Sequence, residues 1–347
     1  MRTQKNNTFK VLLIVGIIIA LAGCALGAYV GGRVWTNKLP LEHDYDTIYS
    51  NGDYSLEVDE NGIFNVLKIN DTHFINGECE NDKKTLEGIK KVLDEKKYDL
   101  IIMNGDMIDG FGFDSTYNKE NAINAFAMLI ESYNTPWIFI PGNNDGEMDG
   151  DDKDVIAYML RYPHLLAGNV SGIYGDMQFY VDLTKDGNVV HTIAIMDSGM
   201  RSPAVTGSYD HIRENQVEEL LGRVRQKGVD VSLFFHMQTP AFEDAYQNGE
   251  HYINVPKRRS ESYDRIPKNA KFDELIEGEQ LIKLISVGHQ HGNSMCALLG
   301  GRYYELASPS GYNAWRPDGV EPSVTAISID TGKVNAKEIY TFEKISI

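Results

Sequence analysis

The sequence predicts an α/β fold. Short apolar runs suited to buried strands recur along the chain, and each ends on a cluster of polar residues. Segments with helical periodicity separate several of these runs. The composition is that of a globular chain: 42% of the 347 residues are hydrophobic and 24% charged, which excludes a disordered, collagenous or multi-pass membrane protein.

Residues 32–61 are polar and rich in Asp and Tyr, with Asn51-Gly52 and Asn61-Gly62 as turn signals. They predict a spacer and a hairpin leading into a domain over 62–347. The first apolar run, Ile63–Ile69, leads into Asn70-Asp71-Thr72-His73. Leu86–Lys97 is patterned as a helix, and Leu100–Met103 then runs into Asn104-Gly105-Asp106. After a second helical stretch, Asn121–Tyr133, Trp137–Ile140 leads into Pro141-Gly142-Asn143. Thr192–Met196 ends on Asp197-Ser198 and precedes the helical segment Asn215–Gln226. Val231–Phe235 runs into His236, and Leu284–Val287 into Gly288-His289-Gln290-His291. Arg302–Leu306, Ser323–Ile329 and Lys337–Phe342 predict further strands, with no helix in the C-terminal third. Ser198–Arg213 and Thr239–Lys271 read as long polar loops over the strand ends; lids and surface insertions share that pattern. In sheets of this kind ligands gather at the carboxyl ends of the strands, where the polar clusters fall.

Val11–Val30 contains no charged residue and is long enough for about 30 Å of helix, the thickness of a hydrocarbon core. Arg2, Lys5 and Lys10 precede it, and no acid occurs before Glu42, so the tail 1–10 is expected in the cytoplasm. The segment 11–31 reads as a signal-anchor helix. A lipoprotein signal ending at Leu21-Ala22-Gly23-Cys24 is the alternative, and a buried core helix is a third reading. The first two tether an extracytoplasmic domain to the cell membrane. The whole chain carries 33 Lys and Arg against 50 Asp and Glu, a formal charge of −17. Without the tail, 30 basic residues face 50 acidic ones, a charge of −20. Such acidity argues against non-specific nucleic-acid binding. Cys79 and Cys296 remain, either bridged or free.

The strand ends supply Asp71-x-His73, Gly105-Asp106-x-x-Asp109, Gly142-Asn143-Asn144-Asp145, His236 and Gly288-His289-x-His291. Each piece alone is commonplace, but five in order at strand termini form a specific pattern. Carboxylate and amide oxygens with imidazoles suit Mn, Fe, Zn or Ni, and no Cys points to a softer ion. The series resembles that of the calcineurin-like metallophosphoesterase superfamily over about Phe64 to Asn293. Within it the chain is most similar to the branch of purple acid phosphatase 29-like proteins. Gly110–Asp114, Met196-Asp197-Ser198-Gly199 and Phe234-Phe235-His236 carry that likeness.

The resemblance implies a sandwich of two mixed β-sheets flanked by helices, and a dinuclear metal site. Asp71, His73, Asp106 and His291 would hold one ion. Asp106, Asn143, His236 and His289 would hold the other, with Asp106 bridging. Two ions can clamp a phosphate and activate a bridging water for in-line attack. The implied activity is phosphomonoester, phosphodiester or phosphoanhydride hydrolysis, on a phosphorylated small molecule or lipid head group. Asp145 would support the ligands from behind.

Two departures from the family pattern stand out. Asp109 occupies the position where purple acid phosphatases have a Tyr ligand, so a coloured Fe(III) site is not expected. Asn144 occupies the position of a family His thought to protonate the leaving oxygen, oriented by the residue at position 109. An amide donates a hydrogen bond but no proton at neutral pH. A substrate with a good leaving group, a substitute such as His211 or His251, or a module that binds a phosphorylated ligand with little turnover would each accommodate it. Arg201, His211 and Tyr312 are candidates for phosphate contact, although solvated loop positions suit each of them too. Lys257-Arg258-Arg259 reads as a solvated basic run. Tyr303, Tyr304, Tyr312 and Trp315 read as core and rim packing.

Overall fold

The computed structural model of the chain describes residues 39–50, 53–110, 118–146, 152–200, 209–253 and 271–347, together with Ile19. Leu41–Ile347 forms one compact unit. Apart from Ile19, the tail 1–10 and the apolar segment 11–31 lie outside the described residues. Among the described residues no helix is long and apolar enough to cross a membrane.

The strands in chain order are β1 (Tyr54–Glu57), β2 (Ile63–Ile69), β3 (Leu100–Asn104), β4 (Trp137–Ile140), β5 (Leu165–Leu166), β6 (Phe179–Lys185) and β7 (Asn188–Ile195). They continue with β8 (Val231–Phe234), β9 (Glu250–Ile253), β10 (Ile282–Val287), β11 (Met295–Leu299), β12 (Arg302–Leu306), β13 (Ser323–Asp330) and β14 (Tyr340–Ser346). Eight form one sheet in the order β1-β6-β7-β8-β10-β12-β11-β9, and six form the other as β14-β13-β2-β3-β4-β5. Both are mixed. β2, β3, β4 and β5 are parallel, with β13 antiparallel to β2. In the larger sheet β7, β8, β10 and β12 are parallel.

Helices flank the sheets, and their apolar faces explain why. In α1 (Glu80–Glu95), Ile89, Val92 and Leu93 are buried along one stripe. α2 (Lys119–Glu131) buries Ile123, Phe126, Ala127 and Ile130. Val217, Leu220 and Val224, on the helix Glu214–Lys227, join a core with Leu233, Phe235 and Ile285. The central parallel strands are buried on both sides, so they read as continuous apolar runs.

Several expectations need correction. Residues 53–61 form no hairpin: β1 lies parallel to β6 at the edge of the larger sheet. The polar stretch from Thr239 holds the helix Ala241–Asn248 and β9, which pairs with β11. These elements, with the helices Lys271–Ile276 and Ala336–Ile339, also correct the expectation of a helix-free C-terminal third. The last strand accordingly begins at Tyr340 rather than Lys337. Cys79 and Cys296 are both free. Arg201 and the Lys257-Arg258-Arg259 run lie outside the described residues.

One buried charge joins the two sheets. Lys68 on β2 is fully buried, and its Nζ donates to Ser286 Oγ at 2.8 Å and to the Val287 carbonyl at 2.7 Å. It also pairs with Glu305 on β12. The Glu305 carboxylate accepts further hydrogen bonds from Ser286 Oγ (2.6 Å) and Thr325 Oγ1 (3.1 Å). Burial lowers the Lys68 pKa, and Glu305 opposes that shift. Removing one member of such a pair leaves the other charge uncompensated. Lys68→Met is expected to cost about 3–5 kcal/mol in urea unfolding. Lys68→Met combined with Glu305→Gln should recover part of that loss, and equal losses in the single and double variants would contradict the pairing.

His191 on β7 is a second buried titratable group, hydrogen-bonded to Ser232 Oγ at 2.8 Å. Burial brings its pKa down to about 3. As pH falls below about 6.5, the unfolded chain takes up a proton there that the folded chain refuses. The stability that the neutral ring contributes is therefore present above about 6.5 and lost as pH falls toward about 3. The difference in unfolding free energy between the wild type and His191→Gln should shrink from about pH 7 to about pH 4. A constant difference would show that His191 does not titrate this way.

Candidate metal centre

The five polar clusters follow the carboxyl ends of β2, β3, β4, β8 and β10. Three belong to one sheet and two to the other, so the site forms where the two sets of strand ends meet. Four of its residues have left-handed backbone: Asp71 (φ 50°), His73 (48°), Asp106 (50°) and His289 (68°). That region is strained for residues other than glycine, and such outliers gather at functional sites. Gly105, at φ 83°, precedes Asp106, and a Cβ there would lie 2.2 Å from His236 Nδ1. Only glycine permits the loop after β3 to turn so close to the histidine from the other sheet.

Two groups of ligand-competent atoms result. Atoms of Asp71, His73, Asp106 and His291 lie within 4.8 Å of one another, as do atoms of Asp106, His236 and His289. Asp106 belongs to both groups. His291 Nε2 is 3.2 Å from Asp71 Oδ1 and 3.2 Å from His73 Nε2. His236 Nε2 is 3.3 Å from Asp106 Oδ1 and 3.9 Å from Asp71 Oδ1. Backbone carbonyls orient two of the rings: Asn104 O lies 2.9 Å from His236 Nδ1, and Trp315 O lies 3.0 Å from His291 Nδ1. Placing the ring proton on each Nδ1 leaves Nε2 facing the carboxylates, the arrangement typical of metal-binding histidines.

Asn143 and Asn144 close the site from the loop after β4. The Asn144 backbone N–H donates to Asp106 Oδ1 at 2.8 Å, and its side-chain amide donates to Asp106 Oδ2 at 3.0 Å. Asn143 Nδ2 donates to Asn144 Oδ1 at 3.1 Å, while the buried Asn143 Oδ1 has no hydrogen-bond partner. Asp145 is fully buried and spans two loops, accepting from Ile108 N at 3.0 Å and Gly142 N at 2.8 Å. Burial, reinforced by Asp106, raises the Asp145 pKa to about 7. Asp109 is half-buried, its N–H donates to the Phe74 carbonyl, and its charge acts on His73.

The electrostatics are those of a site for cations. Burial disfavours charge on Asp71, but the His291 hydrogen bond and the charges of His291 and His236 bring its pKa down to about 2. Burial opposes charge on His236 as well, yet Asp106 and Asp71 lift it to about 9. His289 is brought down to about 3, first by burial and then by His236. The His236 Nε2 and Asn143 Oδ1 atoms without hydrogen bonds, two buried carboxylates and two imidazole Nε2 atoms at 3.2 Å fit a pair of bound cations.

The other predicted residues lie differently. The Tyr312 hydroxyl donates to the Ile347 carbonyl at 2.8 Å and is thereby engaged away from the cluster. His211 is held by Arg213 and lies 3.6 Å from Asp210. His251 sits on β9, three strands beyond β10 in the sheet order, and its Nε2 lies 2.9 Å from the Tyr246 carbonyl. Tyr303 and Tyr304 are buried, whereas Trp315 is 53% exposed beside the loop that carries His291.

Several supporting residues escape a sequence reading. Asn70 Nδ2 donates to Asp71 Oδ2 at 2.5 Å. The buried Asp82 accepts the backbone N–H groups of Ile75, Asn76 and Gly77 and the Asn313 amide, fixing the loop after His73. Tyr209 meets the His289 ring edge-on at 4.6 Å. An acid two residues into a helix, or an Asn before the Asp of a motif, carries no distinguishing pattern. The hydrophobic run before Asp71 was the only signal near them.

Comparison with known proteins agrees with this geometry. The family described as Calcineurin-like phosphoesterase matches residues 64–293. The chain is 27% identical over 313 residues to "Probable inactive purple acid phosphatase 29" of Arabidopsis thaliana, covering 79% of this chain and 78% of that protein. It is 24% identical over 285 residues to "Phosphatase DCR2" of Saccharomyces cerevisiae, covering 71% of this chain and 47% of that protein. A dimetal phosphatase from Danio rerio shares the fold, with a TM-score of 0.50 and 10% identity over 82% of this chain and 99% of that one. With a family match over most of its length, the chain belongs to the calcineurin-like phosphoesterase family.

Proposed function

We propose that this chain is a metal-dependent phosphohydrolase acting on phosphomonoesters, phosphodiesters or phosphoanhydrides. The meeting of two buried ligand groups on the single carboxylate of Asp106 carries this reading. Asp71, His73, Asp106 and His291 would hold one ion, and Asp106, Asn143, His236 and His289 would hold the other. Mn, Fe or Zn suits these oxygen and nitrogen donors. Two such cations, when bound, stabilise phosphoryl charge and lower the pKa of water.

The chain's own residues do the rest. Asn144 holds both carboxylate oxygens of Asp106 in place through its backbone and side-chain N–H groups. The Asn104 and Trp315 carbonyls keep His236 and His291 aimed. By the family resemblance, Asn144 takes the place of the residue that would protonate the leaving oxygen, and an amide supplies no proton. Esters with good leaving groups are therefore the favoured substrates. A second reading, a module that binds phosphorylated ligands with little turnover, rests on this same Asn144. The word "inactive" in the Arabidopsis relative's name favours it too.

The tether belongs to the same proposal. The charge-free run Val11–Val30 behind Arg2, Lys5 and Lys10 supports a membrane-anchored protein whose domain faces away from the cytoplasm. Lipid attachment at Cys24 is its alternative form. Phosphorylated small molecules or lipid head groups are then the accessible substrates.

The purified chain should retain two metal ions per molecule by elemental analysis. Asp106→Asn should lose both, and His289→Ala should keep one. Asp106→Asn should also lower metal-dependent turnover of nitrophenyl phosphate by at least about a hundredfold. Undiminished turnover would assign the activity to a contaminant. Asn144→His should accelerate hydrolysis of alkyl phosphates more than that of nitrophenyl phosphate, within the roughly 10²- to 10⁴-fold range of general acid catalysis. An equal change on both esters would contradict the missing-acid account.

A further inference from the structure

Beside the metal-binding loops lies a small cavity of about 10 Å³, room for the centre of one water-sized group. Its walls come from the loops that carry three of the candidate ligands. Gln238 is two residues beyond His236, Gln290 lies between His289 and His291, and Asn293 and Ser294 follow. Phe242 and Met295 add apolar surface. No Lys, Arg, His, Asp or Glu lines it among the described residues.

Five polar atoms on these walls are buried without a hydrogen-bond partner: Gln238 Nε2 and Oε1, Gln290 Nε2, Asn293 Oδ1 and Ser294 Oγ. Gln238 is 1% exposed, Ser294 3% and Gln290 8%. Buried polar groups are nearly always paired, and each unpaired one costs about 1–3 kcal/mol. Such a concentration calls for an occupant. The set offers amide donors, carbonyl acceptors and a hydroxyl, with no net charge. It matches a neutral group that both donates and accepts, which a hydroxyl does. An ion would find no compensating charge.

We propose that this cavity receives a hydroxyl group from the alcohol part of the phosphorylated ligand. The protein then prefers polyol or sugar phosphates to alkyl phosphates of equal length. This inference rests on the phosphohydrolase reading, because it needs a phosphoryl group held at the metal centre whose loops line the cavity. Gln238 and Gln290 act as the specificity determinants, with Ser294 completing the ring.

Binding of two non-hydrolysable ligands to the full chain tests this, with calorimetry in the presence and absence of Mn²⁺. The probes are 3,4-dihydroxybutylphosphonate, an isostere of glycerol 3-phosphate, and butylphosphonate, which lacks the hydroxyls. The dihydroxy compound should bind at least about tenfold more tightly. Gln238→Leu, and separately the smaller change Ser294→Ala, should reduce that preference toward equality. Equal metal-dependent binding of the two probes by the wild type would overturn the hydroxyl pocket alone and leave a buried water as its occupant. A preference that survives in both variants would overturn it equally. Failure of both probes to bind in the presence of Mn²⁺ would refute the metal-centred reading and the pocket with it.

Discussion

The Lys68 ammonium sits between the two sheets with no access to water. Its position along β2 is three residues before Asp71, and one of its hydrogen bonds goes to Val287, two residues before His289. A single charge thus fixes the distance between the strand ends that contribute to both halves of the site. Taking an ammonium out of water is costly, and the Glu305 carboxylate, the Ser286 hydroxyl and the Val287 carbonyl together offset that cost. The pairing tolerates little sliding of one sheet over the other, because any shift separates buried opposite charges. The metal centre inherits that rigidity.

The rigidity supports backbone that would otherwise relax. Asp71, His73, Asp106 and His289 sit in a conformation costing on the order of 1–3 kcal/mol each. Close backbone approaches from glycines, the buried Asp145 bridge and the hydrogen bonds to Asp82 hold those loops in place. The carboxylates of Asp71 and Asp106, and the rings of His73 and His291 with their Nε2 atoms 3.2 Å apart, are thereby crowded against groups of their own kind. The fold's stability is spent on keeping the site prepared, a common trade between stability and function.

The parts of this arrangement legible in the sequence share one property. β3, β4 and β8 are buried throughout, and β2 and β10 are buried toward their carboxyl ends, so each reads as a largely apolar run and the polar residues that end it are conspicuous. His73, Asp106, Asn143, His236 and His291 could be picked out for that reason. β1, β5 and β9 are short edge strands with mixed composition, and nothing in Leu165-Leu166 or Glu250–Ile253 separates them from loop. Lys68 was illegible for a different reason: a lysine within a strand ordinarily points to solvent, and only the other sheet reveals its partner. Gln238 and Gln290 are likewise polar residues in polar loops, and their burial arises from tertiary packing that no local pattern encodes. Tyr312 follows Gly311, whose N–H donates to the Asp71 carbonyl, and its own hydroxyl donates to the Ile347 carbonyl, a pairing that no local pattern announces.

The pairing of β2 with β13 sets Ile63 opposite Asp330 and Lys68 opposite Thr325, so the first central strand finishes its sheet against one of the last. During synthesis, β2 and β3 can assemble early, yet the far edge of β2 stays open until the ribosome has released Ser323–Asp330. Until then an apolar edge carrying an unpaired lysine is exposed to other chains. Contacts so distant along the chain fold slowly and favour aggregation. Production of this protein should therefore depend more on slow, chaperone-assisted maturation than on the strength of its finished core.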